Sequence, residues 1–268
     1  MDKGKFINSS SQEDINKIWR NRWLKAEADK VDINKMLGRN RLFLESYPIF
    51  KKYFSQDLPN ILDAGGGTGR YSFGLVGDID DLNITIIDIL PESLRLIENF
   101  KNQLGIDNIK VKREDILSLT FPDNHFDVVF SDAVIQHLPN YRDAIKELTR
   151  VIRPGGRIII SVVNYWNFHT FFKFLDRLFG RGYEYGFEKS FTRSELKELF
   201  RENKINVIAE DGFYPAYGVY RLKKINRSFK LAGKIINRLT KIFDNYTNRF
   251  FSRRFGFEIL IVGEKSSL

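Results

Sequence analysis

The stretch Ile61-Leu62-Asp63-Ala64-Gly65-Gly66-Gly67-Thr68-Gly69-Arg70 decides the fold of this 268-residue chain. Short apolar residues run into an acid and then into alternating glycines. That is the pattern of a buried strand ending in a tight turn that opens a helix. Glycines at 65, 67 and 69 permit positive φ and keep any Cβ out of a ligand's way. The N–H groups of the turn and of the helix start favour negative charge there. This is a ligand-binding turn, and spacing removes two ligands. A P-loop needs Lys-Ser or Lys-Thr after its last glycine, where this chain has Arg70-Tyr71. The dinucleotide fingerprint needs a third glycine at position 70 or 72, where Arg70 and Ser72 stand.

Working outward, Asn83 to Asp88 reads as a second strand ending in an acid, which can accept both hydroxyls of a ribose. Pro91 starts a helix that Gly105 closes. Ile109 to Lys112 is a short third strand, with Asp115-Ile116 just beyond it. Phe126 to Asp132 is near-continuously apolar, as a strand buried on both faces must be. It runs into Ala133-Val134-Ile135-Gln136-His137-Leu138-Pro139 and a helix from Tyr141 to Ile152. The turn Arg153-Pro154-Gly155-Gly156 then leads to a fifth strand, Arg157 to Val163. Thr192-Arg193-Ser194-Glu195 is a capping box for a helix to Arg201. Ile205 to Ile208 and Phe257 to Val262 are the last two strands.

The run Asp63-x-Gly65-x-Gly67-x-Gly69, Asp88, Asp115 and the segment from the fourth strand through Arg153-Pro154-Gly155-Gly156 stand in one order and spacing. Together they resemble the class I S-adenosylmethionine-dependent methyltransferases, and within them the methyltransferase type 11 group, over roughly residues 60–163. The resemblance implies a Rossmann-like α/β fold with a seven-stranded sheet in the order 3-2-1-4-5-7-6 and an antiparallel last strand. It implies a methyltransferase domain over 59–268, a helical segment or lid over 1–58, and insertions at about 164–190 and 221–254. The implied cofactor is S-adenosyl-L-methionine, leaving as S-adenosyl-L-homocysteine. Asp63, Ala64, Gly65, Gly66, Gly67 and Gly69 would cradle its methionine part. Asp88 and Ile89 would hold the ribose, and Asp115 would accept from the adenine amino group while Ile116 packs on the ring. Ser131 and Gln136 would contact the cofactor or shape the floor beneath it.

Composition sets the class of protein. Hydrophobic residues at 43% and charged ones at 29% are those of a globular chain. With no cysteine there is neither a disulfide nor a thiolate metal site, and His125, His137 and His169 lack metal-ligand spacing. Met1 to Asn16 has no apolar core of a signal peptide, and no run of about 18 apolar residues exists, so a cytoplasmic location is expected. The net charge of +9 is concentrated. Residues 221–254 hold 11 Lys or Arg against the single acid Asp244, and the rest of the chain is close to neutral.

That basic segment carries a periodic stripe: Leu222, Ile225, Phe229, Ala232, Ile236, Leu239, Phe243, Tyr246 and Phe250, at spacings of three and four. One reading packs the stripe on the domain and leaves a solvated basic face. The other lays the helix in a membrane interface, with its cations among anionic headgroups at the inner surface. A second aromatic stretch, residues 165–179, is expected to cover the site after the fifth strand and wall the acceptor.

Methyl transfer from a sulfonium needs positioning, a dry site and an acceptor in its reactive protonation state. His137, just after the fourth strand, is a candidate general base, or alternatively a structural histidine of the loop. Asp132 and Tyr165 are further candidates. The Asn/Asp-Pro-Pro-Tyr/Phe signature of the nucleic-acid amino-methylating enzymes is replaced here by Ser131-Asp132-Ala133-Val134, which disfavours a nucleic-acid partner. The type 11 resemblance points to a small-molecule acceptor, and the basic stripe favours an amphiphilic one. The competing readings are a soluble metabolite or sugar, and a non-catalytic binding protein that docks through the basic helix.

Overall fold

A computed structural model describes residues 11–179, 183, 185–222 and 228–267. Residues 1–10, Gly180, Gly182 and Ile225 lie outside the described residues. Three helices come first: α1 (Gln12–Ala28), α2 (Ile33–Arg39) and α3 (Arg41–Lys51). Ser11 and Asp14 cap α1 reciprocally, so the chain is helical well before Asn16. The chain breaks between α2 and α3 at Asn40, whose side chain accepts from Phe43 N–H and caps α3.

The core alternates β1 (Asn60–Ala64), α4 (Arg70–Asp78), β2 (Asn83–Asp88), α5 (Pro91–Leu104), β3 (Ile109–Arg113), β4 (Phe126–Asp132), α6 (Tyr141–Val151) and β5 (Ile152–Val163). After it come α7 (Phe168–Leu178), α8 (Arg193–Glu202), β6 (Ile205–Phe213), α9 (Tyr217–Arg221), α10 (Ser228–Tyr246), α11 (Phe250–Phe255) and β7 (Glu258–Lys265). The strands form one sheet in the order β3-β2-β1-β4-β5-β7-β6, and β7 runs antiparallel to both its neighbours. This is the expected Rossmann-like order. The fifth strand is longer than expected, because Arg153-Pro154-Gly155-Gly156 lies within β5 at a register shift instead of outside it.

Alternate residues of each strand serve two cores, as parallel strands buried on both faces require. Ile61, Val128, Phe130 and Ile159 face the side of α3, α4 and α5, where Phe50, Tyr71 and Phe100 pack. Leu62, Val129, Ile158 and Ile160 face α6 and α8, meeting Ile145, Leu148 and Phe200. Phe50 of α3 lies 4.6 Å from the Tyr71 ring and 5.6 Å from Phe130, so the N-terminal helices share the sheet's own core. Strand order reverses between β1 and β4, which opens a crevice at their carboxyl ends.

Of the two readings of the basic stripe, packed on the domain or turned outward, α10 shows the stripe largely outward, and α7 departs from expectation. On α10 the residues turned to the body are Gly233, Asn237 and Asp244, and Leu231, Ile235, Leu239, Ile242, Phe243 and Tyr246 face outward. Asn237 donates to Glu45 (2.8 Å), and Asp244 accepts from the backbone of Phe251 and Ser252, which holds the start of α11. On α7 the inward side chains are His169 and Lys173, and Phe168, Phe171 and Phe174 are exposed. The wall expected from the α7 aromatics is therefore not formed by them. No helix among the described residues is long and apolar enough to cross a membrane.

Candidate active site

A cleft of about 420 Å³ opens at the crevice between β1 and β4. Its first half is built on the glycine turn. Gly65 and Gly66 donate their N–H groups to the Ile87 carbonyl (2.9 and 3.0 Å), tying the turn to β2. Gly67 N–H donates to Asp88 Oδ2 at 3.2 Å. Leu90 N–H donates to Asp88 Oδ1 (2.9 Å), and the Ser93 hydroxyl lies within reach of both Asp88 (2.9 Å) and the Gly67 carbonyl (2.8 Å). Burial pushes the Asp88 carboxyl up, against these stabilising hydrogen bonds. Gly65 has φ +81°, and a Cβ there would stand 2.6 Å from Val134. Gly67 has φ +57°, and its Cβ would meet the Trp23 ring at 3.2 Å. Both positions need glycine.

Asp63 stands behind the turn, buried, with the Ser72 hydroxyl donating to it at 2.6 Å. Burial raises its carboxyl to about 7. Beyond β3, Asp115 accepts from Leu117 N–H (2.9 Å) and lines the cleft with Ile116. Asp63, Gly65, Gly66, Gly67, Asp88, Ile89, Asp115, Ile116 and Gln136 are thus brought to one wall. Ala64, Gly69 and Ser131 are not on it. The fully buried Ser131 donates its hydroxyl to the Ala64 carbonyl (2.9 Å), bracing β4 against β1 under the floor, and Gly69 at φ +69° starts α4. A cradle that any Cβ at 65 or 67 would fill, an acid ending β2 and an apolar pair at 89 and 116 fit a nucleoside carrying an amino-acid chain.

The second half holds the charges. Arg70 donates to Asp132 at 2.7 Å, and Arg70 Nε and Asp132 Oδ1 are buried with no hydrogen-bond partner among the described residues. Ser161, the β5 partner of Asp132, donates its hydroxyl to Glu258 (2.8 Å) at the start of β7. Burial, with the Asp132 charge adding to it, pushes Glu258 up to about 8. His137 is oriented by its neighbours. Its Nδ1 donates to the Phe187 carbonyl (2.9 Å), which can only accept. Gln136 gives its oxygen to Val163 N–H (2.7 Å), so its amide N–H faces His137 Nε2 at 3.3 Å. Burial pushes His137 below its ordinary value and keeps the ring neutral.

Glu188 lies 3.9 Å from His137. It accepts from Lys173 (3.0 Å) and from the Tyr183 hydroxyl (3.0 Å), with His169 at 3.3 Å. Burial works to raise Glu188, but the His169 hydrogen bond and the Lys173 charge hold it down to about 2. The aromatic walls come from elsewhere than α7. Trp19 packs edge-on against His137 (5.0 Å between centroids) and beside Tyr185 (5.9 Å), and Trp23, Tyr183, Tyr217 and Phe257 complete the lining. Tyr165 is exposed and lies outside the cleft.

Sequence reasoning missed Glu188, Glu258 and the α1 indoles. Glu258 did leave a trace, as a lone acid opening the otherwise apolar strand Phe257 to Val262. Glu188 sits in a glycine-rich connection and left none.

Comparison with known proteins agrees with this geometry. The family described as a methyltransferase domain matches residues 55–231. Demethylmenaquinone methyltransferase of Staphylococcus aureus is 24% identical over 220 residues, spanning 73% of this chain and 86% of that protein. A Thermotoga maritima SAM-dependent methyltransferase, described as a possible histamine N-methyltransferase, superposes with a TM-score of 0.62 at 14% identity over 93% of this chain and 99% of its own. A Haemonchus contortus phosphoethanolamine N-methyltransferase, solved with S-adenosylhomocysteine, gives 0.58 at 16% identity over 82% of this chain and 52% of its own. The chain belongs to the methyltransferase-domain family and is an S-adenosylmethionine-dependent methyltransferase.

Proposed function

We propose that this methyltransferase acts on an amphiphilic small molecule, quinone-, isoprenoid- or lipid-linked, which it meets at an anionic membrane surface on the cytoplasmic side. The observation that carries this reading is the inverted orientation of α7 and α10. Each helix turns polar side chains to the body, His169 and Lys173 on α7 and Asn237 and Asp244 on α10, and leaves large apolar ones outside: Phe174 is 61% exposed, Leu178 67%, Leu231 62% and Ile235 51%. Sinking those four half-exposed side chains into lipid would contribute on the order of 3–6 kcal/mol, taking about half the value of full burial for each. Lys230, Lys234 and Arg238 flank the α10 stripe at exposed positions, and each adds about 1 kcal/mol near anionic headgroups. A patch of this kind marks an interaction surface on a globular protein. The aromatic cleft and the relative named for a menaquinone precursor support the same acceptor class.

In this reading Asp88 accepts the ribose hydroxyls, Asp115 meets the adenine amino group and the glycine turn lies under the methionine part. The bound cofactor supplies an electrophilic methyl group. The chain's own residues orient the acceptor between Trp19, Trp23 and Tyr185, exclude water with α1, and take up the acceptor's proton among the carboxyls at the charged end of the cleft.

The test is flotation with phosphatidylglycerol-containing vesicles at low and moderate salt, joined to methylation of a demethylmenaquinol analogue in the same vesicles. Salt-sensitive flotation is expected, lost when Lys230, Lys234 and Arg238 become glutamine or Ile235 and Leu239 become glutamate. Failure to float in any condition, with turnover confined to soluble metabolites or sugars, would refute the reading. So would a stable dimer that occludes α7 and α10.

A further inference from the structure

Three carboxyls line the acceptor half of the cleft, Glu188 and Glu258 buried and Asp132 nearly so. Asp132 is paired with Arg70 and Glu188 with Lys173. Among the described residues Glu258 has no cation of its own, and the hydrogen bond it accepts comes from the neutral Ser161 hydroxyl. It nevertheless lines the cleft that Asp63, the glycine turn and Asp132 share. A buried carboxyl with no countercharge keeps its proton, and a positive charge arriving nearby favours losing it. The cofactor of this family brings such a charge, because its sulfonium is cationic whereas the thioether left after transfer is neutral.

We propose that Glu258 is the general base for the acceptor nucleophile, made ready by the positive charge of the bound cofactor. The other two candidates are committed elsewhere. His137 uses Nδ1 on the Phe187 carbonyl and turns Nε2 to the Gln136 amide, and Asp132 is held by Arg70. The titratable and charged groups around Glu258 are Asp132 on β4, Arg70 and Tyr71 on α4 and Glu188 in the connection before α8, with Asp63 behind the glycine turn. Of these, Arg70 alone is a cation and Asp132 already claims it.

The sequence of events balances. Cofactor binding drives one proton from Glu258 to solvent. The acceptor's X–H proton then passes to a Glu258 carboxylate oxygen as the X lone pair forms the bond to the methyl carbon. The methyl–sulfur bond breaks with its electron pair on sulfur, leaving a neutral thioether beside a protonated Glu258. The site regains its starting proton inventory without a separate step, and the neutral product no longer holds the carboxyl deprotonated. A base with a value of about 8 when the cofactor is absent is suited to this cycle near neutral pH.

The experiment counts protons and needs no acceptor. S-adenosylmethionine and S-adenosylhomocysteine are each titrated calorimetrically at pH 7 in phosphate and in Tris, whose ionisation heats differ. The wild-type protein is expected to release close to one more proton with the sulfonium than with the thioether. In Glu258→Gln that difference is expected to vanish, while homocysteine-cofactor affinity stays within about threefold. Equal proton counts in the wild type, or a difference that survives in Glu258→Gln, would overturn the proposal. Should Glu258→Gln fail to fold, Ser161→Ala decides: it removes the hydroxyl that donates to Glu258 and should move the pH midpoint of proton release upward, and an unmoved midpoint is the contrary result. With the demethylmenaquinol analogue as acceptor, Glu258→Gln should lower kcat by about 10²–10⁴ and flatten its rise with pH. An inert analogue with wild-type protein would count against the acceptor class only, leaving the proton count to decide on Glu258.

Discussion

Replacing Asp88 tests the cofactor half of the cleft at its most connected point. In the folded chain this carboxylate accepts from Gly67 N–H, Leu90 N–H and the Ser93 hydroxyl, so it holds the glycine turn, the chain after β2 and the start of α5 in one geometry. Asp88→Ala removes the acceptor for all three donors. Ser93 retains the Gly67 carbonyl at 2.8 Å, and the two N–H groups border the cleft, where water can reach them. The stability loss is therefore that of about one unsatisfied donor, about 1–3 kcal/mol. The affinity loss should be larger. Two hydrogen bonds from the ribose hydroxyls to a charged acceptor are worth about 1.5–3 kcal/mol each. Their loss weakens S-adenosylhomocysteine binding by about 10²–10⁴, at about 1.4 kcal/mol per factor of ten. Asp88→Asn keeps one oxygen but turns an NH₂ toward Gly67 N–H or Leu90 N–H, and should fall between wild type and alanine. Calorimetric titration with S-adenosylhomocysteine measures the affinity, and a thermal melt measures the fold. Because burial raises the Asp88 carboxyl, wild-type affinity should also decline as pH falls and the carboxylate protonates. An Asp88→Ala protein that binds within threefold of wild type would refute the assignment of the ribose to this residue.

Three further outcomes follow from the same structure. Gly65→Ala puts a side chain at φ +81° and 2.6 Å from Val134; a left-handed alanine costs about 1–2 kcal/mol before that clash, and S-adenosylhomocysteine affinity should drop at least tenfold by the same calorimetry. Lys173→Met strands the buried Glu188 charge and should destabilise the fold by about 3–5 kcal/mol in urea melts, with part recovered in the Lys173→Met, Glu188→Gln double variant. The pH dependence of stability has a worked sign. Asp63 at about 7 and Glu258 at about 8 bind protons more tightly folded than unfolded, so stability should fall as pH rises from about 4 through about 8. Glu188 at about 2 acts oppositely, its contribution being lost as pH falls from about 4.5 through 2. Thermal melts should therefore peak on the mildly acidic side, and Asp63→Asn with Glu258→Gln should flatten the alkaline limb.

The sheet and the glycine-turn wall of the cleft were legible in the sequence because each is encoded in a few contiguous residues. A strand, an acid and a glycine turn write their own geometry: φ above zero at 65, 67 and 69 admits glycine, and burial on both faces demands the apolar run Val128-Val129-Phe130. Asp63, Asp88 and Asp115 could be placed before any contact was known, since each ends a strand or opens the turn after it. The acceptor half could not. Glu188 and Glu258 reach the cleft from opposite sides of α8, β6 and the basic segment, and only the pairing of β7 with β5 sets Glu258 beside Ser161 and Asp132. Helix orientation was open for a related reason. Periodicity fixes that α10 has an apolar stripe but not which side meets the body. The tertiary structure decided that with polar partners: Glu45 for Asn237, the α11 backbone for Asp244, and Glu188 for Lys173 on α7. Buried polar groups must be hydrogen-bonded, so the faces that found partners turned inward and the apolar faces were left outside.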